Sequence, residues 1–236
     1  MSQFGYQQFY HRNRPHLQPP GATLFVTFRL AGSVPQAVVR QYQAEKVWLE
    51  KEWQRIRKLA SASGASEIAA HEDRLRTFHR RWFRKFEDLL HAEKTGPTWL
   101  KEERLARVVS DSLHYLDGQT YRLDAYCIMS NHVHAVFALL LSEERLQETG
   151  HGGRLRYESA APTLAEMMQS LKGYTAREAN RLLGRRGTFW EHESYDHVVR
   201  DAGEFDRIVT YVLNNPVKAG LVRDWRQWRW NWRRQP

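Results

Sequence analysis

Residues 121–140 have the sequence YRLDAYCIMSNHVHAVFALL, in which two apolar segments lie on either side of a short polar pair. Ser130 and Asn131 suit a tight turn, so the stretch predicts a β-hairpin. His132 and His134 are two residues apart in its second segment, and alternation along a strand sends both imidazoles to one face of the sheet. The opposite face is expected to carry Val133, Ala135 and Phe137.

An earlier strand is predicted at residues 23–30, TLFVTFRL, which alternate with a period of two. Between this strand and the hairpin the pattern becomes helical, with charged stretches at residues 38–59, 72–90 and 99–116. We interpret residues 33–117 as a helical insertion after the first strand. The expected faces of the strand carry Leu24, Val26, Phe28 and Leu30 on one side and Phe25 on the other.

After the hairpin, residues 141–162 are polar, contain glycine and lack a steady period, which predicts a mobile surface loop. Thr163 and Glu166 have the spacing of a capping box, in which each side chain bonds the other residue's backbone amide. A helix is therefore predicted to begin there and to continue to about Leu183. A short strand follows at residues 195–200.

A last helix is predicted from about Glu204, and Pro216 disfavours its continuation. The order strand, helices, strand, strand, helix, strand is typical of a ferredoxin-like α+β antiparallel sheet followed by a C-terminal helix. The hairpin places the two histidines on a central strand. We therefore treat residues 1–236 as one domain that contains the helical insertion and ends in a basic, tryptophan-rich tail at residues 223–236.

The charge balance favours a polyanionic partner, because 36 Lys and Arg against 27 Asp and Glu give a net charge of +9. Nucleic acid and an acidic membrane surface both fit, and simple basicity without such a partner is the alternative. The longest apolar run, residues 135–141, is too short for a membrane span, and the N-terminus lacks a signal-peptide apolar region. We expect a cytoplasmic, nucleoid-associated protein with no membrane partner. Cys127 is the only cysteine, which excludes an intramolecular disulfide and a cysteine-rich metal site.

Two side chains of the last helix extend the chemistry that the histidine pair indicates. Two neighbouring neutral imidazoles suit a divalent metal, although this spacing also arises by chance or serves ordinary polar strand residues. Tyr211 and Asn215 are four residues apart and share one side of a helix. The Asn215 oxygen could complete a metal site while the Tyr211 oxygen attacks a phosphate. The alternatives are a tyrosine at the edge of a core and an asparagine at a helix C-terminus.

Three ordered blocks, AYCIMSNHVHAVF, LKGYTAREANRLLGRRGTFWEHESYDHVVRD and YVLNNPVKAGLV, resemble the signature blocks of REP-associated tyrosine transposases, which belong to the insertion-sequence-200-like HUH transposases. The resemblance implies that His132 and His134 bind a divalent ion, Mg²⁺ or Mn²⁺, with Asn215 as the amide ligand and Tyr211 as the nucleophile. It implies an enzyme that nicks and joins single-stranded or hairpin DNA of the repetitive extragenic palindrome kind. Ser130 stands where the family usually has proline, and Glu191 where glutamine is common.

Basic and aromatic residues outside this constellation are predicted to contact DNA. Cations on the capped helix could neutralise backbone phosphates, or could simply form a solvated helix face. The tryptophan in the second block could shape the cleft or anchor the core, and the tail could stack on unpaired bases or pack on the domain. The predicted contacts are Lys172, Arg177, Arg181, Trp190, His197, Arg200, Arg226 and Arg229.

Two other functions fit the same residues. The first is a domesticated protein that binds DNA hairpins without cutting them. The second is a metal-dependent hydrolase that uses the His-X-His pair to activate water, although no further carboxylate or histidine ligand recurs at a clear spacing. A monomer is slightly favoured over a homodimer.

Overall fold

The computed structural model describes residues 21–59, 65–140 and 163–235, so the loop predicted at residues 141–162 lies outside the described residues. Within them, five strands form one sheet in the order β4-β1-β3-β2-β5, and every neighbouring pair is antiparallel. The α+β class with an antiparallel sheet is confirmed. The strands are β1 (Thr23–Arg29), β2 (Tyr121–Ile128), β3 (His132–Leu139), β4 (Tyr195–Val198) and β5 (Asn231–Arg233).

Six α-helices accompany the sheet in the described part of the chain. Two short 3-10 turns lie at Trp99–Lys101 and Trp225–Gln227. None of these described helices has both the length and the apolar character needed to cross a membrane. The helices are α1 (Gln36–Leu59), α2 (Ala65–Ala92), α3 (Glu103–Leu116), α4 (Leu164–Leu182), α5 (Ala202–Leu213) and α6 (Asn215–Lys218).

One face of the sheet builds the larger core with α3 and α4. The alternating residues predicted for β1 and β3 lie on this face, including Leu24 and Val133. Leu105, Val109 and Leu113 of α3 pack against them. The third stretch of the predicted insertion therefore belongs to the main core, which corrects its grouping with residues 33–117. Helical periodicity shows that a helix has an apolar side but does not identify the partner of that side.

The helices α1 and α2 form a separate antiparallel unit, the α1–α2 hairpin, with its own small core. Leu49 of α1 packs there against α2, through Leu75, Phe78 and Trp82. The hairpin is also held by polar contacts, such as the bond of 3.0 Å that Trp82 Nε1 donates to the Glu45 carboxylate. This unit is the part of the predicted insertion that has a core of its own, although Phe83 of α2 also packs on the smaller face of the sheet.

The C-terminal end of α2 is fixed against the sheet at two places. The Asn131 side chain in the β2–β3 turn donates to the carbonyl of Leu90 at 2.9 Å, and the Ser130 hydroxyl donates to the Glu93 carboxylate. Gly96 follows with a φ of +74°, and a Cβ there would lie 2.2 Å from the carbonyl oxygen of Gly32. Only glycine allows this approach, so the chain leaving α2 passes directly against the chain leaving β1.

The other face of the sheet is smaller and is covered by α5. Phe25, Cys127 and Val136 point to this side, where Val209 and Val212 of α5 pack on them. α5 begins at Ala202, two residues before the predicted start, because Asp201 caps it by accepting a hydrogen bond of 2.8 Å from the Glu204 amide.

The capping box predicted for α4 is present. The Thr163 hydroxyl accepts from the Glu166 amide at 3.2 Å, and the Glu166 carboxylate accepts from the Thr163 amide at 2.8 Å. The helix ends at Leu182, one residue before the predicted end.

The tryptophan-rich tail packs on the domain, the arrangement given above as the alternative to stacking on unpaired bases. Trp230 and Trp232 join the larger core, while Trp225 and Trp228 join the smaller one. The Trp228 indole also donates to the Ile128 carbonyl at 3.0 Å. The short strand β5 pairs with β2 and adds the tail to the sheet.

Candidate active site

His132 and His134 lie on β3, which has a strand on each side, and their imidazoles meet on the face covered by α5. Their Nε2 atoms are 3.1 Å apart. Both side chains are almost fully buried, with 1% and 0% of their surface exposed. The two histidines therefore present their Nε2 atoms to the same small space.

Each ring is oriented by a hydrogen bond to its other nitrogen. The Asn131 side chain is fixed by its bond to Leu90, so its oxygen faces His132 and accepts from Nδ1 at 2.7 Å. The Thr27 hydroxyl on β1 pairs with Nδ1 of His134 at 2.8 Å. Contacts of this kind leave Nε2 free to act as a ligand, as in metal sites whose histidines are held by outer partners.

A third donor comes from α2, at a position that the sequence analysis did not identify. Glu87 is 2% exposed, and its Oε2 lies 3.4 Å from His134 Nε2. One ligand atom from each of Glu87, His132 and His134 lies within 4.8 Å of the others. This histidine–glutamate cluster can hold a metal ion, because two imidazole nitrogens and a carboxylate oxygen form a donor set for divalent metals.

The protonation states of Glu87 and His132 suit the binding of a metal ion. Burial favours the neutral form of Glu87, but the interactions with His134 and His132 outweigh it and hold the pKa of this carboxyl well below its usual range. Burial and the neighbouring His134 lower the pKa of His132 well below its usual range. At neutral pH the cluster therefore contains a carboxylate and, at His132, a neutral imidazole with a free lone pair.

Tyr211 projects from α5 into the same space. Its hydroxyl donates to Oε2 of Glu87, and its ring packs edge-on against Phe25 and His134 with centroid distances of 6.0 and 5.7 Å. Phe83 of α2 lies 5.9 Å away on another side. Burial, followed by the Glu87 charge, raises the pKa of Tyr211, so the phenol is protonated at neutral pH.

Asn215 lies close to Tyr211 but on a different helix from the one predicted. α5 ends at Leu213, and Asn215 begins α6, where Pro216 occupies an early position that does not require an amide donor. The Asn215 side chain is buried and donates to the Tyr211 carbonyl at 3.1 Å. Its oxygen, predicted as a metal ligand, instead accepts a hydrogen bond of 2.8 Å from His91 of α2.

A cation lies at the exposed side of Tyr211. The ammonium of Lys218, an exposed residue of α6, is 5.8 Å from the centre of the Tyr211 ring. An anion that approached the Tyr211 hydroxyl from this side would meet a positive charge first.

The cations predicted as DNA contacts on α4 differ in their surroundings. The Lys172 ammonium bonds the carbonyls of Glu191 and His192 and the Ser194 hydroxyl, the last at 2.6 Å, so it ties α4 to the segment before β4. Arg177 is exposed, and Arg181 is exposed but pairs with Glu178 at 2.9 Å. The structure does not bring these residues into contact with the histidine–glutamate cluster.

Trp190 lies in the core, the position given above as the alternative to a DNA contact. The indole is buried in the larger core, 4.8 Å from the Phe28 ring centre. Its Nε1 donates to the Thr175 hydroxyl at 2.8 Å. An indole whose ring and donor are both satisfied inside the protein has no free face for a nucleobase.

We expect Trp190→Ala to lower the free energy of unfolding by about 3–5 kcal/mol, because a large buried side chain is replaced by a cavity. Denaturant unfolding followed by circular dichroism measures the change. Arg177→Ala, at an exposed position of α4, is the control and should shift stability by less than about 0.5 kcal/mol. Equal stability of the two variants would show that Trp190 is not a packing residue.

His197 and Arg200 lie beside the N-terminus of α5. His197 pairs with Phe25 across the strands, so its side chain leaves the same face as the two histidines of β3. Its ring is hydrogen-bonded to Glu204 at 3.0 Å. The Arg200 guanidinium is exposed and 3.9 Å from the same carboxylate. Both can meet a ligand that crosses the β4 edge.

Asp196 of β4 gives a testable pH dependence. Burial raises the pKa of this carboxyl to about 6 from its ordinary value of 3.8. The folded state therefore holds the proton more tightly, so this contribution to stability is complete below pH 4 and is lost as the pH rises through about 6. We expect Asp196→Asn to raise the melting temperature at pH 7.5 and to leave it nearly unchanged at pH 4. A constant difference across melting curves at pH 4 to 8 would contradict this origin.

The two predicted contacts of the tail lie away from the cluster. Arg229 pairs at 2.6 Å with Glu103 of α3, a helix on the opposite face of the sheet from the histidines. Arg226 is exposed and pairs with Asp224 at 3.0 Å. The structure places neither guanidinium beside Tyr211.

Comparison with known proteins leaves function to be argued from this geometry. No protein family and no curated protein matches the sequence. Among solved structures, the chain is similar to a REP-associated tyrosine transposase bound to a REP hairpin, with a TM-score of 0.43 and 13% sequence identity. The similarity covers 94% of this chain and 81% of the other.

Proposed function

We propose that this protein is a metal-dependent single-strand DNA endonuclease and strand transferase, a transposase-like enzyme whose nucleophile is Tyr211. The observation that carries the proposal is the contact between the Tyr211 hydroxyl and Glu87, inside a buried cluster with His132 and His134. A tyrosine beside a potential metal site is the combination that covalent phosphoryl transfer requires. The sequence blocks described above, which resemble those of REP-associated tyrosine transposases, support the same assignment.

In this proposal Glu87, His132 and His134 hold the ion, Mg²⁺ or Mn²⁺. When bound, the ion would polarise a DNA phosphate and make its phosphorus more electrophilic. Glu87 takes the position for which Asn215 was predicted, because the Asn215 oxygen is directed to His91. Asn215 then positions Tyr211 by bridging the end of α5 to α2.

The Tyr211 oxygen forms a bond to phosphorus, and the bond from phosphorus to the sugar oxygen breaks. The bond to Glu87 orients the Tyr211 hydroxyl, the phenol proton passes to solvent as the new bond forms, and the departing sugar oxygen takes a proton from solvent. Lys218 lies where it can bind the incoming phosphate. The phosphotyrosine ester keeps the energy of the broken bond, so a second strand's hydroxyl can reverse the step. The outcome is strand transfer without ATP.

The proposed substrate is single-stranded DNA that forms a hairpin of the repetitive extragenic palindrome kind, as the resemblance implies. The sheet order β4-β1-β3-β2 brings the histidines and α5 to one face, which supports the position proposed for the active site. We further propose that the protein acts on the nucleoid in the cytoplasm, and as a monomer.

The test is to incubate the protein with labelled hairpin DNA and Mn²⁺ or Mg²⁺ and to separate the products under denaturing conditions. We expect a labelled band at the mass of protein plus DNA, and its loss when EDTA is added. Tight binding without any adduct would reject the transferase and favour a protein that only binds hairpins.

A second function, a metal-dependent hydrolase, gains support from Glu87. The sequence offered no third ligand at a clear spacing, but the structure supplies a carboxylate to the two histidines. Two histidines and a glutamate also form sites that activate water. Cleaved DNA that never appears attached to the protein, even in a rapid quench, would favour the hydrolase.

A further inference from the structure

We propose that the α1–α2 hairpin binds the phosphate backbone of the single strand that enters the active site, through a ridge formed by Arg80 and Arg84 on α2. This inference rests on the proposed function, because it names the surface that delivers the substrate. The α1–α2 hairpin has a small core of its own, and this core does not explain why its surface is basic. The proposal gives that basic surface a function.

The ridge is on the same side of α2 as the residues of the active site. At about 100° per residue, Arg80 lies about 20° around the helix axis from Glu87 and about 10 Å away along it. Phe83, between them, contacts Tyr195 with ring centres 4.5 Å apart and also packs on Tyr211. The helix thus runs from the cluster across β4, and Arg80 marks the point where it leaves the sheet.

The position of this end of α2 beside β4 has independent support. Burial, followed by the charges of Lys46 on α1 and His197 on β4, lowers the pKa of His79 to about 4, so this end of α2 lies near both elements. The ridge begins one residue after His79, and we infer that the ridge and the residues at the β4 edge, His197 and Arg200, outline a path toward Tyr211.

The guanidinium charges of the ridge can bind a phosphate, whereas those of neighbouring arginines on α2 are already in ion pairs. Arg74, Arg76 and Arg81 on the same helix pair with Glu52, Asp73 and Glu45. Arg80 and Arg84 are exposed, and within the described residues neither has a carboxylate at ion-pair distance. They are four residues apart, so they lie side by side along the helix surface.

These features fit an extended anionic polymer. Two adjacent guanidiniums in line with the helix axis bind successive phosphates and carry no base information. The basic surface of α2 includes Lys85 and ends at the acidic Asp88, about one turn after Lys85. A strand held on the ridge would be directed past the aromatic group of Phe83 and Tyr195 to the Tyr211 hydroxyl.

Fluorescence anisotropy with a labelled 20-nucleotide single strand tests the ridge. All measurements are made in EDTA, so that chemistry does not contribute, and over a series of salt concentrations. We expect the double variant Arg80→Ala/Arg84→Ala to bind about 10-fold more weakly at 0.1 M salt. The slope of log affinity against log salt should fall by about 1.4, since each lost phosphate contact removes about 0.7.

The matched control is Arg104→Ala/Arg107→Ala, which removes the same charge from exposed positions of α3, on the other face of the sheet. Its affinity should stay within about 2-fold of the unaltered protein, and Arg80→Lys/Arg84→Lys should retain most of the binding because both charges remain. Circular dichroism establishes that the variants are folded.

An unchanged affinity and salt slope in Arg80→Ala/Arg84→Ala would overturn the proposal, and so would an equal loss in the α3 control. The binding experiment tests the ridge separately from the proposed function. Weaker binding by the ridge variant stands even if the protein never forms an adduct, whereas an adduct formed with unchanged binding rejects the ridge alone.

Discussion

Tyr211→Phe is expected to abolish the covalent protein–DNA adduct while leaving hairpin binding within about 2-fold of the unaltered protein. The substitution removes one oxygen, the atom proposed to attack phosphorus, and keeps the ring that packs on Phe25 and His134. Loss of a nucleophile lowers turnover by at least about 10³-fold. The rate of adduct formation on labelled hairpin DNA, measured with Mn²⁺, gives the comparison.

Tyr195→Phe is the matched control for this change. Tyr195 belongs to the same aromatic group, with its ring 4.5 Å from that of Phe83, but its hydroxyl is not the one that donates to Glu87. We expect it to form the adduct at nearly the normal rate. Adduct formation at an undiminished rate in Tyr211→Phe would remove Tyr211 from the mechanism and direct the search to another nucleophile.

The second large effect is expected at the histidine–glutamate cluster, the candidate metal site. His132→Ala should weaken binding of Mn²⁺ by at least about 100-fold, because it removes a ligand from a site with only three protein donors in the described structure. Metal-dependent cleavage should fall below detection with it. Titration calorimetry or the Mn²⁺ paramagnetic resonance signal, recorded without DNA, measures binding independently of catalysis.

Two further variants sharpen this prediction. Glu87→Gln keeps the size of the side chain and an oxygen that can accept from Tyr211, but it removes the charge, so we expect weaker Mn²⁺ binding in a folded protein. His79→Ala removes a histidine of α2 that lies outside the histidine–glutamate cluster, and Mn²⁺ affinity should not change. If His132→Ala bound Mn²⁺ as well as His79→Ala, the cluster would not be the metal site.

Local pattern was sufficient to predict the sheet face on which the site lies. Alternation around His132 and His134 required both imidazoles to share a face, and the turn at Ser130 and Asn131 required an antiparallel partner. The helix that bears Tyr211 was predicted from its apolar stripe, of which Val209 and Val212 are buried. These predictions depend on residues within a few positions of one another, which periodicity describes well.

Glu87 could not be predicted in the same way. It lies 45 residues before His132, on a charged helix where glutamate is the ordinary solvent-facing residue. The contacts of α2 with the sheet, among them the bond of Asn131 to Leu90 and the packing of Phe83, bring this carboxylate over the sheet. The sequence did contain one signal. Glu87 lies on the same side of the helix as Phe83, and a large aromatic residue is unusual on a solvated helix face.

The surroundings of several basic and aromatic residues could not be predicted for a related reason. Lys172 and Trp190 have the composition of a DNA-binding surface, yet one ties two segments together and the other fills the core. The tail contains the same residue types and forms an edge strand with packed indoles. Composition indicates what a side chain can bind, whereas burial determines what it does bind.

The close approach of Gly32 and Gly96 has a consequence for how this protein can be modified. The chain departs from the sheet and returns to it at one point, where the Thr95 hydroxyl bonds the Ser33 carbonyl at 3.2 Å. Insertions whose two ends adjoin can be exchanged or deleted with little strain on the host fold. A short linker from Ser33 to Gly96 would keep the strand that carries the histidines and the helix that carries Tyr211. It would remove Glu87, together with the Leu90 carbonyl that holds Asn131 and the His91 ring that holds Asn215. The histidine–glutamate cluster would then lose its carboxylate and part of its support in one genetic step.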